Sequence, residues 1–280
     1  MVDKTTFIKA LRPFSLIVAI ATCGLGVSLA LIENSASVQL AYLVMITGLM
    51  LQIAVNLIND YRDINNVGFS SAQKDAIKRN TKIGWIVMFL AVILGLYMVS
   101  IRGWALLALG MVGVFGAWGY TGGQINYKSR GLGVLLVFFF MGVLLVGGSY
   151  YVVSGSYSIN VFLLSLPFSL LSSLLLLSNE LRDYEDDLAQ GIKTMSVRLG
   201  FNFSVRMYYT IATLLYLLSV ALYSADKLNS VTLILVSSLA LWQPLKLLSA
   251  DKHKRASLTK LTGRLYFLYG LSYITTIWMS

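Results

Sequence analysis

The 280-residue chain contains one cysteine, one histidine, three prolines and only twelve acidic residues. Cys23 stands alone in an apolar run, which excludes an internal disulfide and any cysteine-rich metal centre and leaves a small core residue as its ordinary reading. His253, in the basic run D-K-H-K-R at 251–255, reads as a solvated loop residue, and the scarcity of His and Cys disfavours zinc. Charge is scarce: 12% of residues are charged against 57% apolar, and the mean hydropathy is +0.75, which excludes a soluble domain of this length. No long hydrophilic segment interrupts the apolar runs, so no separate soluble domain, linker or low-complexity tail is expected. Residues 1–280 read as a single domain.

Apolar windows of about twenty residues, enough to cross the hydrocarbon core, fall at 13–32, 38–58, 83–100, 103–120, 132–153, 160–179, 206–224, 229–248 and 262–279. The expectation is an all-α polytopic membrane protein with nine transmembrane helices. The first window is followed by further spans and lacks a small-residue cleavage site, so it reads as helix 1 and not as a removed leader. With the N-terminus cytoplasmic, twenty of the 22 basic residues fall in cytoplasmic segments, and only Arg102 and Lys227 lie outside. The C-terminus is then outside. The net charge of +10 sits in short loops beside membrane helices, where membrane lipid headgroups and an anionic substrate account for it and nucleic acid does not.

The few acids are concentrated. Seven of twelve lie in N-L-I-N-D-Y-R-D over 56–63 and N-E-L-R-D-Y-E-D-D over 179–187, each at the end of an apolar run and both on the cytoplasmic side. Asn56 and Asp60 are four apart and Asp60 and Asp63 three apart, while Asn179, Asp183 and Asp187 recur every fourth residue, so on helices each set lines one face. Carboxylates at a membrane boundary are costly without a partner and would raise one another's pKa values. Oxygen donors without His or Cys suit Mg²⁺ held jointly by carboxylates and a diphosphate.

Between the fourth and fifth windows, Y-T-G-G at 120–123 and Y-K-S-R-G-L-G at 127–133 form a turn that can aim Tyr127, Lys128 and Arg130 into the same mouth. Lys128 and Arg130, with Lys193 and Arg198 beyond the second acidic run, are candidates for binding the leaving diphosphate. Their alternative reading is topological charge alone. Arg182, flanked by the acids, reads equally as a group that holds them in place. Tyr120 and Tyr127 flank the glycines of that turn. The polar stretches after both acidic runs are candidate lids.

These pieces resemble the UbiA superfamily of intramembrane prenyltransferases, and within it the MenA-like branch that prenylates 1,4-dihydroxy-2-naphthoate. The resemblance rests on A-L-R-P-F-S-L at 10–16, L-Q-I-A-V-N-L-I-N-D-Y-R-D at 51–63, the 120–133 turn, the run at 179–200 and, more weakly, L-T-G-R-L-Y-F-L-Y-G at 261–270. It implies nine helices around a central lipid-accessible cavity in a bacterial inner membrane. It further implies that Asp60, Asp63, Asp183 and Asp187 bind Mg²⁺ and prenyl diphosphate, that Asn56 and Asn179 join the basic residues on the diphosphate, and that Tyr120 and Tyr127 position the prenyl chain or an aromatic acceptor in menaquinone biosynthesis. The chain departs from the family pattern in lacking a further acidic residue in I-N-N-V-G-F-S at 64–70, in Ile192 after Gly191, in Glu180 for a common Asn, and in Val134. Those departures leave 4-hydroxybenzoate or a non-aromatic lipid as alternative acceptors. A transporter is disfavoured because the acids are confined to one membrane face.

Overall fold

A computed structural model describes residues 6–33, 36–64, 70–121 and 126–279, leaving aside the side chains of Phe14, Arg62, Asp63, Trp118, Tyr120 and Thr121. The described residues form helices and turns, with no strand. Helix α1 (Pro13–Ile32) starts on a proline whose missing N–H costs nothing at a first position, and the preceding Arg12 turns the chain through the left-handed region at φ 49°. Helix α2 (Val38–Asn59) is capped by the Ser37 hydroxyl, which accepts the Leu40 N–H at 3.3 Å, and runs into a 3₁₀ turn at Asp60–Asp63.

Helix α3 (Ser71–Arg102) begins well before the apolar window at 83. Ser70 and Gln73 form a reciprocal capping box, so the stretch from 71 to 82, expected as part of a polar loop, is helix. At about 1.5 Å per residue α3 is roughly 48 Å long, so its charged first turns project beyond a hydrocarbon core of about 30 Å. Helix α4 (Trp104–Thr121) follows directly through Gly103, whose φ of 78° only glycine adopts readily.

Helix α5 (Gly133–Ser154) contains a π-helical segment at Phe138–Leu144. The remaining long helices are α6 (Ile159–Arg182), α7 (Phe201–Ser224), α8 (Thr232–Leu248, interrupted by a 3₁₀ turn at Ser237–Leu241) and α9 (Leu258–Trp278). Among the described residues six helices, α1, α2, α3, α5, α6 and α7, are long and apolar enough to cross a membrane, while α8 and the Trp104–Ala117 part of α4 are shorter apolar helices. The chain is an integral membrane protein.

Helix α6 is the hub: it is mostly buried and packs against α5, α7 and α9. Lipid tails are as apolar as leucine, so close approach and interhelical hydroxyl bonds take over from the hydrophobic effect between these helices. Ser172 meets the Tyr266 hydroxyl at 3.2 Å, Tyr208 meets Thr262 at 2.8 Å, Ser219 meets Tyr269 at 2.6 Å, and Tyr273 donates to the Leu164 carbonyl at 3.0 Å. Each such contact is worth about 0.6 kcal/mol in a membrane protein, enough in aggregate to fix register.

Paired ends define the two faces of the bundle. At one end, the Ser37 N–H donates to the Val153 carbonyl at 3.2 Å, and Trp278 donates to Ser28 at 3.0 Å. Arg102 caps the end of α5 there, donating to the Val152 and Val153 carbonyls at 2.6 and 2.7 Å. Towards the opposite end, the start of α1 meets the end of α2 through Arg12–Asp60 and Asn56–Leu11, α3 meets α2 through Thr81–Leu57, and the end of α6 meets the turn before α9 through Arg255–Leu181. An open apolar groove of about 400 Å³ between α5, α6 and α7, lined by Phe138, Leu166, Leu170, Leu214 and Leu218, includes none of the acidic residues.

Candidate active site at one end of the bundle

The first acidic motif is built on the close of α2. Asn56 is 3% exposed, and its amide donates to the Leu11 carbonyl and the Ser15 hydroxyl, both at 2.7 Å, while its oxygen accepts from Gln52 at 3.1 Å. Asn56 thereby pins the turn ahead of α1. That turn carries Arg12, whose Nη2 lies 2.5 Å from Oδ1 of Asp60, a side chain only 1% exposed. Arg12 was legible from sequence only as a topological charge, although the Arg-Pro pair at the head of α1 marks a constrained position. The side chains of Asp63 and Tyr120, both expected at the site, lie outside the described residues, as do Gly122 and Gly123.

The second motif straddles the end of α6. The Asp183 N–H donates to the Asn179 carbonyl at 3.0 Å and the Asp187 N–H to the Asp183 carbonyl at 2.8 Å, so the expected four-residue spacing is realised across the junction with the short helix Tyr184–Ala189. Arg182 grips Asp183 in a fork, Nε to Oδ1 at 2.7 Å and Nη2 to Oδ2 at 2.5 Å. Burial pushes the Asp187 carboxyl above the ordinary carboxylate value; Lys128 opposes this, and the neighbouring charges of Asp183 and Asp186 add to it. Asp186 pairs with Lys252 at 2.5 Å, and Glu185 pairs with Arg255.

Glu180 is 4% exposed, and its Oε2 accepts the Ser196 N–H at 2.9 Å, which ties the Met195–Leu199 helix to α6. From that helix, Arg198 donates to the Ser129 carbonyl at 2.9 Å and to the Lys193 carbonyl at 3.1 Å. Gly131, with φ of 76°, leaves room for this clasp, since a Cβ there would lie 2.6 Å from Arg198 Cδ. The clasp holds the 126–132 turn so that the Lys128 charge acts on Asp187 and Glu180. Tyr127, buried in the same turn, has its phenol pushed up to about 12 by burial. Arg130 and Lys193 are exposed at the rim.

Among the described residues no three Asp, Glu, His or Cys side chains converge on one point. Two of the acids are held by a basic partner, Asp60 by Arg12 and Asp183 by Arg182. Mg²⁺ is commonly bound through one or two carboxylates with phosphate oxygens and water completing the shell, so Asp183 and Asp187, one helical turn apart, fit that ion without a three-residue cage.

A model of the UbiA prenyltransferase family matches residues 17–271. The chain belongs to the UbiA prenyltransferase family. It is 33% identical over 228 residues to the 1,4-dihydroxy-2-naphthoate octaprenyltransferase of Haemophilus influenzae, covering 75% of this chain and 72% of that protein. It is 30% identical over 241 residues to the protein of the same name from Escherichia coli, covering 80% and 78%. The fold is similar to that of a UbiA homolog from Archaeoglobus fulgidus bound to GPP and Mg²⁺, with a TM-score of 0.64, 12% identity and coverage of 96% and 99%. As a member of the UbiA family the chain is a prenyltransferase, and the acid-bearing end of the bundle is its candidate active site.

Proposed function

We propose that this UbiA-family enzyme transfers a polyprenyl group from a prenyl diphosphate to 1,4-dihydroxy-2-naphthoate, in menaquinone biosynthesis. The observation that carries this reading is the Lys128 charge acting on Asp187 and Glu180 at the second aspartate motif; the names of the relatives supply the acceptor. Residues 1–280 act as one domain crossing a bacterial inner membrane nine times around a central cavity. The N-terminus and the site end are cytoplasmic and the C-terminus outside, because the basic residues crowd that end.

Asp60, Asp63, Asp183 and Asp187 would hold Mg²⁺, which when bound supplies charge stabilisation to the departing diphosphate. Lys128 faces the same developing charge directly, with Asn179, Arg130 and Lys193 around it. Asn56 and Arg198 act on the chain itself, by holding the turns that carry Arg12 and Lys128. Tyr120 and Tyr127 border the acceptor and prenyl chain. Ionisation breaks the allylic C–O bond and its electron pair leaves with diphosphate. An electron-rich ring carbon of the acceptor attacks the allylic cation, and loss of CO₂ and of a proton restores aromaticity. The apolar bundle walls exclude the water that would otherwise capture the cation.

Purified protein given geranyl diphosphate, Mg²⁺ and one acceptor at a time tests this reading. The expected result is a prenylated, decarboxylated naphthoquinol identified by mass spectrometry. Product from 4-hydroxybenzoate and none from the naphthoate would overturn the acceptor assignment.

A further inference from the structure

Arg255 belongs to a basic run that reads in sequence as solvated, yet it is 4% exposed. Its Nε donates to the Leu181 carbonyl at 2.9 Å, its Nη1 to the Ala250 carbonyl at 3.2 Å, and its Nη2 pairs with the Glu185 carboxylate. The guanidinium lies 4.4 Å from the centre of the Phe201 ring, and Phe201 meets Tyr184 edge to face at 5.3 Å. These partners lie on both sides of Asp183. Leu181 is in the last turn of α6, Glu185 is in the first turn of the helix that carries Asp187, and Asp183 occupies the bend between them.

A bend at a helix junction is soft, because the groups on either side keep few backbone bonds. Here one rigid cation grips a carbonyl before the bend and a carboxylate after it, while the Phe201 ring closes over its face. A planar fork with several donors can do this; an ammonium point charge cannot hold both partners in one geometry. The nearby Lys252–Asp186 pair joins the same turn to the same short helix, but both groups are about half exposed, so it contributes less.

We propose that Arg255 is a positioning residue for the second aspartate motif: by clamping the Leu181 carbonyl and the Glu185 carboxylate together, it sets the relative placement of Asp183 and Asp187 toward a metal-bound diphosphate. The inference rests on the two-motif reading above and adds to it a residue that touches neither substrate nor ion. Outer partners of this kind typically alter metal affinity by about 10- to 100-fold.

The test uses full-length detergent-purified protein and two readouts. One is the rise in thermal unfolding temperature on adding Mg²⁺ with geranyl diphosphate; the other is the Mg²⁺ concentration for half-maximal turnover. Arg255→Lys should raise that concentration by about tenfold and lower kcat, with KM for the acceptor unchanged. Glu185→Gln, which still accepts an N–H but loses the charge, should shift it in the same direction by less. If Arg255→Lys fails to fold, Glu185→Gln carries the test alone. Parent-like Mg²⁺ midpoints in the folded variants, whatever their unfolding temperatures, would overturn the positioning role. Asp183→Asn separates the two claims: it should abolish the Mg²⁺-dependent rise, and if it does not, the two-motif reading fails irrespective of Arg255.

Discussion

Arg12 and Asp60, 48 residues apart, form an ion pair at 2.5 Å in which the carboxylate is almost wholly buried and the guanidinium is 43% exposed. The pair closes the turn ahead of α1 onto the end of α2, and Asn56 holds the same turn through the Leu11 carbonyl and Ser15. Stability and site geometry therefore meet in one contact.

Removing the Arg12 cation takes a charged partner from a buried carboxylate. Arg12→Met should lower stability by about 1–3 kcal/mol, the cost of removing one side of a buried charged hydrogen bond. Asp60→Asn leaves only the part-exposed Arg12 charge behind, so it should unfold nearer the parent while losing turnover by orders of magnitude. Thermal unfolding in detergent, run beside a prenyl-transfer assay, separates the two effects. An Arg12→Met protein as stable as the parent would mean that Asp60 does not depend on this pair.

The proposed Mg²⁺ role of Asp187 predicts that metal use depends on pH. Its carboxyl is raised by burial first, with Asp183 and Asp186 adding and Lys128 opposing, so in the folded protein it stays protonated to higher pH than a free aspartate. For an acid shifted upward, the folded state binds more protons than the unfolded one. Without ligand, its effect on stability is thus most favourable below the ordinary carboxylate value and declines as pH rises through the raised one. Mg²⁺ requires the ionised form. The Mg²⁺ concentration for half-maximal turnover should accordingly increase on acidification, beginning above the ordinary carboxylate range, and Asp187→Asn should flatten that dependence. An unchanged pH dependence in Asp187→Asn would assign the titration to another group.

The helices and the acidic motifs were legible because their signals are local. Apolar runs announce membrane helices, and carboxylates four apart announce a shared face, realised by the backbone bonds from Asp183 to Asn179 and from Asp187 to Asp183. The start of α3 at Ser71 was also written locally, in Ser70 and Gln73, but inside a polar stretch that reads as loop. Arg12 and Arg255 were not legible as parts of the site, and Arg198, expected as a diphosphate ligand, donates to the Ser129 and Lys193 carbonyls. A basic residue that obeys the positive-inside rule looks the same in sequence whether its side chain is exposed at the rim, as that of Lys193 is, or clamps a distant carbonyl, as that of Arg255 does. Glu180 read as a departure from the family pattern, and its partner, the Ser196 N–H, is 16 residues on.

The charge asymmetry predicts which end of the bundle meets the cytoplasm. Reporter fusions after Arg130 and Arg198 should be cytoplasmic and one after Lys227 should not. Arg102 does not weaken the rule on the opposite end, since its guanidinium is occupied in capping α5. A cytoplasmic reporter at Lys227 would reverse the assignment of the two ends.

Lys128 and Arg198 make distinguishable contributions although both are basic residues at the same mouth. The Lys128 charge already acts on Asp187, and a charge-assisted contact to a departing diphosphate strengthens as negative charge builds, so Lys128→Gln should lower kcat and raise KM for the prenyl diphosphate, leaving the acceptor KM nearly unchanged. Arg198 is committed to the Ser129 and Lys193 carbonyls and acts by holding the turn that bears Lys128. Arg198→Gln should therefore change the same two parameters by a smaller factor. Because its effect passes through Lys128, the double variant should be little worse than Lys128→Gln alone, a departure from additivity that a double-mutant cycle on kcat/KM measures directly. Strict additivity would place Arg198 on the diphosphate in its own right, and a parent-like Lys128→Gln would reduce Lys128 to a topological charge while leaving the aspartate motifs untouched.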